Sequence, residues 1–292
     1  MFSCGGSGDV KRSVFEQGEC FWTRASGYKF DQDATATNAG VEETGYGLAM
    51  GGQFAIAEEW RLGFSIGYEQ ADADFTAIAS SDIERFQIGV SAKRFSGPYT
   101  LSMALTGGHA NFDTTRIVSL PSSTRIAESD NNQQNISGRM INSYTFDREG
   151  YYIEPSLSLD LLYVRRGDIE ETGAGALNKI VDASDEFLFS AAPKVEVGKW
   201  FGEGRFRWKS FANVGAEVNA NTSFAVQSRF EGAPIAVAPL TVTNEFDRWA
   251  AIYEAGLEVP ITGKFDLRLG FNGRASANSI IYSGAAKLRW NF

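Results

Sequence analysis

The sequence predicts an all-β fold, a transmembrane, antiparallel, up-and-down β-barrel of about twelve strands. Three observations predict it. Apolar and polar residues alternate along most of the chain, as they do when one face of a strand meets lipid and the other meets water. Aromatic residues mark the ends of the apolar faces, where membrane barrels carry their aromatic girdles. Tight turns and longer connections follow one another, which predicts one rim of short turns and one rim of loops.

The composition argues against two other classes of protein. No run of 18 apolar residues occurs, so the sequence contains no candidate for a transmembrane helix. Lys and Arg total 27 against 36 Asp and Glu, the net charge is −9, and there is no basic cluster, so we expect no nucleic-acid partner. The mean hydropathy of −0.21 suits a membrane barrel, because half of each strand faces water in the lumen.

Residues 1–18 are small and polar and predict a linker, with one or two helical turns after Asp9 as a remnant of a pore helix. They lack the charged start and apolar stretch of a signal peptide. A protein of this membrane must be exported, so we expect either that a signal has been removed or that the chain is the C-terminal piece of a longer protein, and we favour the second. The two cysteines are Cys4 and Cys20, and the sequence leaves open whether they form a disulfide. The barrel domain is predicted to cover 19–292.

The first half of the chain divides into six segments with strand character. The third shows the pattern best, since Trp60, Leu62 and Phe64 fall on one face while Arg61 and Gly63 fall on the other. The first alternates least. In order, the predicted strands are 20–31, 44–56, 60–69, 83–95, one that begins at 99, and 136–146.

The second half adds six more strands. They are predicted at 151–163, 186–200, 205–219, 249–261, 265–274 and 280–292. Longer loops are expected near 32–43, 72–82, 113–135, 166–185 and 228–245. An even number of strands places both ends of the barrel segment at the rim with the short turns.

The last strand shows why lipid, rather than a soluble core, is predicted to face these segments. Every second residue back from the C-terminus is apolar or small, with aromatic residues towards both ends: Phe292, Trp290, Leu288, Ala286, Gly284, Tyr282 and Ile280. The alternative is an amphipathic edge strand of a soluble sandwich. That alternative does not explain why the pattern recurs through the chain, nor why the predicted apolar faces carry no charge. A charge facing lipid at mid-membrane costs about 2–4 kcal/mol.

Four stretches resemble the translocator domain of the classical autotransporters, the type V secretion system. The opening 21–27 contains an aromatic-x-Arg-x-x-Gly run, and 152–157 reads Tyr-Ile-Glu-Pro-Ser-Leu. Residues 169–177 contain Glu-Thr-Gly-Ala, and the chain ends in Lys-Leu-Arg-Trp-Asn-Phe. In their order and spacing, these stretches extend the resemblance over roughly 20–292.

This resemblance implies a twelve-stranded barrel with an N-terminal helix in its pore, located in the outer membrane of a Gram-negative bacterium. The implied function is to insert into that membrane, anchor the protein and export an N-terminal passenger to the cell surface. The implied partners are the barrel-assembly machinery, outer-membrane lipid and lipopolysaccharide, and the protein's own upstream passenger. Phe292 and Trp290 would form the C-terminal assembly signal. The alternative function is a stand-alone outer-membrane channel of the porin kind.

Charged residues on the predicted inner faces indicate a hydrated lumen. We interpret them as pore-lining pairs that keep water or a helix inside, rather than as a specific ligand site. The predicted pore-lining residues are Arg205, Arg207, Lys209, Glu217, Glu254, Glu258, Asp266, Arg268, Arg274, Lys287 and Arg289.

The sequence offers little support for an enzyme. His109 is the only histidine, and the alternation of its strand places it on the outward face near the loop rim, where an interfacial role is favoured over that of a catalytic base. Two cysteines and one histidine do not suggest a transition-metal site. We therefore expect no catalytic residue, cofactor or metal, and an outer-membrane hydrolase is a third class that rests on His109 alone.

Overall fold

The structure, a computed structural model, describes residues 19–292 with the exception of 36–37, 77, 203–206 and 235. The predicted linker at 1–18, with its helical turns, lies outside the described residues. No helix in the described part of the chain is long and apolar enough to cross a membrane. The strands are β1 (Cys20–Gln32), β2 (Val41–Ala55), β3 (Trp60–Phe75), β4 (Ala79–Ser96), β5 (Tyr99–Leu120), β6 (Ser123–Tyr144), β7 (Phe146–Arg148), β8 (Tyr151–Arg166), β9 (Ile169–Glu170), β10 (Lys179–Val181), β11 (Ser184–Phe201), β12 (Trp208–Asn219), β13 (Ser223–Phe230), β14 (Leu240–Glu245), β15 (Trp249–Pro260), β16 (Phe265–Ala275) and β17 (Ser279–Asn291), with one turn of 3-10 helix at Gly175–Leu177.

Twelve strands form one closed antiparallel barrel, which confirms the predicted fold class. They are β1 to β6, β8, β11, β12 and β15 to β17, while short β7 continues the line of β6 beside β8. The barrel closes because β1 pairs with β17 along its whole length, from Cys20 opposite Asn291 to Gln32 opposite Ser279. The pairing of β8 with β11 completes the wall.

Apolar side chains cover the outside of the barrel. Leu48, Val214 and Phe86 are 68%, 63% and 51% exposed, whereas charged Glu258 and Arg289 are almost fully buried. Side chains alternate between the faces of a strand, so the same alternation that points apolar residues out turns the polar residues in. A soluble sandwich requires the opposite arrangement, with its apolar faces packed together.

Two of the predicted loops are in fact strands. β5 and β6 are 22 residues long each and leave only 121–122 as a turn, so the loop predicted near 113–135 is wrong. Likewise, β3 and β4 leave only 76–78 between them, so the loop predicted near 72–82 is also too long. These stretches are polar on most positions because they rise beyond the bilayer, where both faces of a strand meet water and the apolar alternation ends. Their pairing nevertheless continues, for example with Asp113 opposite Asp130.

The wall of the barrel is uneven in height. From β1 to β6 the strands lengthen in steps, with 13, 15, 16, 18, 22 and 22 residues. On the other side, β12, β15, β16 and β17 have 12, 12, 11 and 13 residues. At the rim where the chain starts and ends, β4, β5 and β6 are level, with Tyr99 opposite both Ser96 and Tyr144, so the extra length of β5 and β6 stands above the opposite rim.

The predicted loops near 166–185 and 228–245 are confirmed as connections, but they contain a small second sheet in the order β14-β13-β10-β9. An isolated bridge between Glu128 and Thr172 attaches one side of this sheet to the tall β5–β6 hairpin. On the other side, the Asn38 amide donates to the carbonyl oxygen of Glu245 at 2.6 Å, and the Glu245 N–H donates back to Asn38 Oδ1 at 2.9 Å. The loops therefore form a layer that is anchored at both ends.

An aromatic cluster bridges the seam between the first and last strands on the outer face. The Phe292 ring lies 5.4 Å from that of Phe21 and 5.6 Å from that of Trp290. Phe21 also contacts Phe54 of β2 at 5.7 Å. The Phe292 N–H donates to the carbonyl oxygen of Glu19 at 3.2 Å. The contacts of Phe292 with Phe21 and Glu19 join the start of the barrel to the C-terminus, so they exist only when the barrel is closed.

One inner tyrosine lies flat across a glycine of the neighbouring strand. Tyr152 of β8 is 2% exposed, and a Cβ at Gly198 of β11 would lie 2.2 Å from its Cε1 atom. A side chain at Gly198 would therefore displace the ring. Glycine is required here by the close approach rather than by its backbone angles.

Candidate functional site: the barrel lumen

Three charged side chains from three adjacent strands meet on the inner face near the rim of short turns. Arg289 of β17 donates from Nε to Asp266 Oδ1 at 2.5 Å and from Nη2 to Glu258 Oε1 at 2.5 Å. The side chains of Arg289, Glu258 and Asp266 are only 3%, 2% and 0% exposed. Buried charges are tolerated when they are paired and hydrogen-bonded. The cluster therefore ties β15, β16 and β17 together from the inside.

Lys209 of β12 extends this cluster to a fourth strand. Its Nζ lies 3.5 Å from Glu258 Oε2. The ammonium also lies 5.5 Å from the ring centres of Tyr152 and Phe211 and 5.7 Å from that of Trp200. Aromatic faces attract cations at this range, so the ring cage holds the lysine in place on the inner face.

Two further ion pairs follow the same wall upward. Arg268 contacts Glu254 at 3.0 Å, and Arg274 contacts Glu217 at 2.8 Å. Both pairs join side chains from different strands. A ladder of opposite charges thus rises along one side of the lumen from the buried cluster.

Two further predicted cations among the described residues lie against inner tryptophans. Lys287 Nζ is 4.3 Å from the ring centre of Trp22, and the Arg207 guanidinium is 4.5 Å from that of Trp200. Trp22 is preceded on the same face by Cys20, which is fully buried and disulfide-bonded. Cys4, the second cysteine of the sequence, lies outside the described residues.

The structure brings together most of the predicted lumen residues. Lys209, Glu258, Asp266 and Arg289 form one cluster, and the pairs described above account for four more, while Lys287 and Arg207 contact aromatic rings instead. Arg205 lies outside the described residues.

Sequence reasoning missed a second inner cluster, which lies on β1 to β4. Arg85 of β4 contacts Glu43 at 2.9 Å, Glu69 at 2.8 Å and the Tyr28 hydroxyl at 2.5 Å. This cluster lines a cavity of about 380 Å³. Alternation had placed Glu69 and Arg85 inside, but the weak pattern of the first strand gave no signal for Tyr28. The late predicted start of the second strand excluded Glu43.

The upper half of the lumen is open and mostly neutral. A cavity of about 630 Å³ lies between the walls, lined by amide and hydroxyl side chains such as Asn135, Asn219 and Thr106 together with apolar Phe30 and Phe246. The lumen is therefore tightly charged near the rim of short turns and wider and less charged towards the loops.

The family model described as "Autotransporter beta-domain" matches residues 21–272, which is most of this barrel. The chain belongs to the autotransporter beta-domain family. Autotransporter beta-domains are outer-membrane barrels. The apolar outer face of this barrel therefore contacts the lipid of the outer membrane of a Gram-negative cell.

Solved structures agree with the fold. The translocator domain of the autotransporter NalP from Neisseria meningitidis aligns with a TM-score of 0.76 at 13% identity, over 96% of this chain and 90% of that chain. The beta domain of the Bordetella autotransporter BrkA aligns with a TM-score of 0.69 at 17% identity, over 94% of this chain and all of that one (100%).

A longer curated protein is also similar. The "Extracellular serine protease" of Serratia marcescens is 22% identical over 283 residues, which cover 93% of this chain and 25% of that protein. This autotransporter domain therefore spans about a quarter of the length of that relative.

The Glu-Thr-Gly-Ala stretch of the autotransporter domain anchors the outer loops. Arg116 of β5 forms a bidentate ion pair with Glu171, donating from Nε to Oε1 at 2.7 Å and from Nη2 to Oε2 at 2.5 Å. Burial raises the pKa of the Glu171 carboxyl, but hydrogen bonds from Arg116 and from the Lys179 backbone N–H outweigh it, so the pKa of Glu171 lies below its ordinary value. Gly173 follows with φ of 95°, where an added Cβ would lie 2.5 Å from the Ile126 carbonyl oxygen.

His109 of the autotransporter domain faces outward, where its alternation had placed it. Its Nε2 lies 3.0 Å from Asn111 Oδ1, two residues along the same face. An acid–base mechanism needs a histidine within reach of a nucleophile or an orienting carboxylate. The geometry around His109 is that of an exposed side chain near the loop rim.

Proposed function

We propose that this chain is the translocator and membrane anchor of an autotransporter, which exports an N-terminal passenger to the cell surface. The observation that carries the proposal is a closed wall around a polar lumen, with β1 starting at the same rim as the C-terminus. Any segment upstream of Cys20 therefore joins the barrel beside the mouth of the lumen at the rim of short turns. The lumen leads from there to the loop rim, so it offers that segment a route across the membrane.

We further propose that residues 1–18 are a linker or pore-helix remnant and that 19–292 form the barrel domain. The predicted pore-lining residues would contact whatever occupies the lumen. Support comes from the burial of Lys209, Glu258 and Arg289 on the inner face. A charged lining binds water and the polar backbone of a passing chain through many weak contacts. Such a lining suits a lumen through which a passenger must move without being bound tightly.

The proposal includes two sets of partners during biogenesis. Barrel-assembly machinery would recognise the C-terminal strand, with Phe292 and Trp290 as its signal, and outer-membrane lipid and lipopolysaccharide would surround the finished barrel. Phe292 and Trp290 are 48% and 43% exposed on the outer face, so both rings are accessible to a recognition surface. Lipid interfaces also favour aromatic side chains at this level.

We propose that the barrel itself has no enzymatic role and that any catalytic activity of the whole protein resides in the passenger. The Serratia marcescens relative, an extracellular serine protease by name, is about four times as long as its matched part. In the described barrel, the outward position of His109 supports this division of labour.

A fusion experiment tests the export function. A reporter that can cross the membrane unfolded is placed upstream of residue 1, behind a signal peptide, and protease is added to intact cells. The reporter should be degraded while a periplasmic marker stays intact. The same reporter with the signal peptide but without the barrel is the matched control and should remain protected.

A second outcome would favour the alternative function. If the barrel inserts in its heat-modifiable form while the reporter stays protected, the translocator proposal is wrong. A stand-alone channel would then be the better reading, and ion conductance of the purified barrel in planar bilayers would test it.

A further inference from the structure

A row of cations and hydroxyls lies on the outer face at the rim of short turns. Arg148 pairs opposite Tyr151, and Tyr151 pairs opposite Lys199. Lys199 in turn lies opposite Ser210. Directly opposed residues share a face of the sheet, and Tyr151 is 44% exposed on the outside, so all four side chains project outward. With strands about 4.8 Å apart, the row is about 15 Å wide.

An apolar groove begins immediately above this row. Its volume is about 840 Å³, and it extends over β11, β12, β15 and β16. The second row from the rim crosses four strands, and each residue in it lies opposite the next: Val197, Ala212, Ala255 and Phe271. The two small side chains lie between the larger ones, so the outer surface is concave here. Leu257 continues the groove into the basic row, where it lies opposite Ser210.

The charge of the row is not neutralised within the described part of the protein. Lys199 lies 5.2 Å from the ring centre of Phe201, and neither Lys199 nor Arg148 forms an ion pair with a described residue. By contrast, the outward Arg94 of β4 contacts Glu59 at 3.0 Å. A protein with a net charge of −9 thus keeps two outward cations available at one place on this rim.

We propose that this groove binds one phospholipid with an anionic headgroup from the periplasmic leaflet. Lys199 and Arg148 would contact the headgroup phosphate, the hydroxyls of Tyr151 and Ser210 would donate hydrogen bonds to it, and an acyl chain would fill the groove. Basic pockets at a membrane interface select anionic headgroups in this way, and the volume lies within the range of about 300–1,000 Å³ found for ligand sites. The proposal depends on the outer-membrane location and is independent of passenger export.

Native mass spectrometry of the purified chain in detergent tests the site. Phosphatidylglycerol is titrated in, with phosphatidylethanolamine as the zwitterionic comparison and glycerol phosphate as a headgroup without chains. One phosphatidylglycerol should remain bound, and glycerol phosphate should not displace it. The double variant Lys199→Gln/Arg148→Gln should weaken binding by about thirty-fold, since two interfacial cations are lost. Ala255→Leu should also weaken binding, because it fills the groove without changing the charge.

Matched controls lie on β4, outside the groove. Arg94→Gln removes an outward rim cation that is already paired, and Ala92→Leu enlarges an outward alanine between Leu62 and Met103, outside the groove. Both should bind phosphatidylglycerol as the unchanged protein does. The proposal is overturned if the double variant binds normally, if Ala255→Leu and Ala92→Leu behave alike, or if phosphatidylethanolamine binds equally well. Heat-modifiable migration of every variant confirms that a folded barrel is being compared.

Discussion

Truncating the terminal aromatic, Phe292→Ala, should impair assembly far more than it weakens the finished barrel. The ring is 48% exposed, so only about half of the 1.5–3 kcal/mol for a fully buried Phe is at stake, about 1 kcal/mol. Its aromatic contact with Phe21 at 5.4 Å adds about 0.5–1.5 kcal/mol. The total of about 2 kcal/mol is small for a wall closed by twelve paired strands. Before closure, however, the edge of β17 is unpaired, and a signal read at that stage protects an aggregation-prone strand.

The assay compares this variant with Phe265→Ala. Phe265 also lies at the rim, is 38% exposed and stacks on Trp290 at 6.3 Å, but it is not the terminal residue. In cells, Phe292→Ala should lower the outer-membrane level and leave periplasmic, protease-sensitive chain, whereas Phe265→Ala should not. After refolding into detergent, both variants should lose similar, modest amounts of stability in urea. Equal membrane levels for the two variants, or a much larger loss of refolded stability for Phe292→Ala, would refute the reasoning.

Three other predictions concern the lumen, a close contact and the loops. Arg289→Met leaves two buried carboxylates without their shared cation and should cost about 3–5 kcal/mol in urea unfolding of the refolded barrel; a change below about 1 kcal/mol would contradict the buried cluster. Gly198→Ala should destabilise by about 1–3 kcal/mol through the clash with Tyr152, and Tyr152→Leu in the same chain should relieve part of that loss. The pKa of Glu171 is lowered in the folded protein, so its bond to Arg116 is complete at neutral pH, and the stability that it contributes is lost in acid as the pH falls through this lowered pKa. Hydrogen exchange in 167–183 should rise in that acidic range, and Glu171→Gln should show the raised exchange already at pH 7.

Alternation predicted the barrel because lipid and water impose opposite demands on the two faces of each membrane strand. It placed Trp60, Leu62 and Phe64 outside and Lys209 and Arg289 inside without knowledge of any strand pairing. The same reasoning failed above the membrane. Near 113–135, both faces are wet, so no pattern remained to mark the strands that pair there.

Alternation also could not predict which inner residues meet. The contact of Arg289 with Glu258 depends on the register of three strands, and a shift of one residue would turn each side chain to the other face. Register is set by turn geometry and by the partner strand, and neither can be predicted from the sequence of one strand alone. The Arg85 cluster was missed for two other reasons: the weak alternation of the first strand gave no signal for Tyr28, and the second strand was predicted to begin after Glu43.

The stepped wall has a consequence for anything that leaves the lumen. At about 3.3 Å per residue and a tilt of about 45°, β5 with its 22 residues rises roughly 50 Å, whereas β16 with its 11 residues rises roughly 26 Å. The rim of the outer mouth is therefore slanted, and the β5–β6 hairpin projects above the rest of it on one side. A chain that emerges there meets the tall hairpin along one flank and open solvent along the other, so its first contacts outside the cell have a direction built into them.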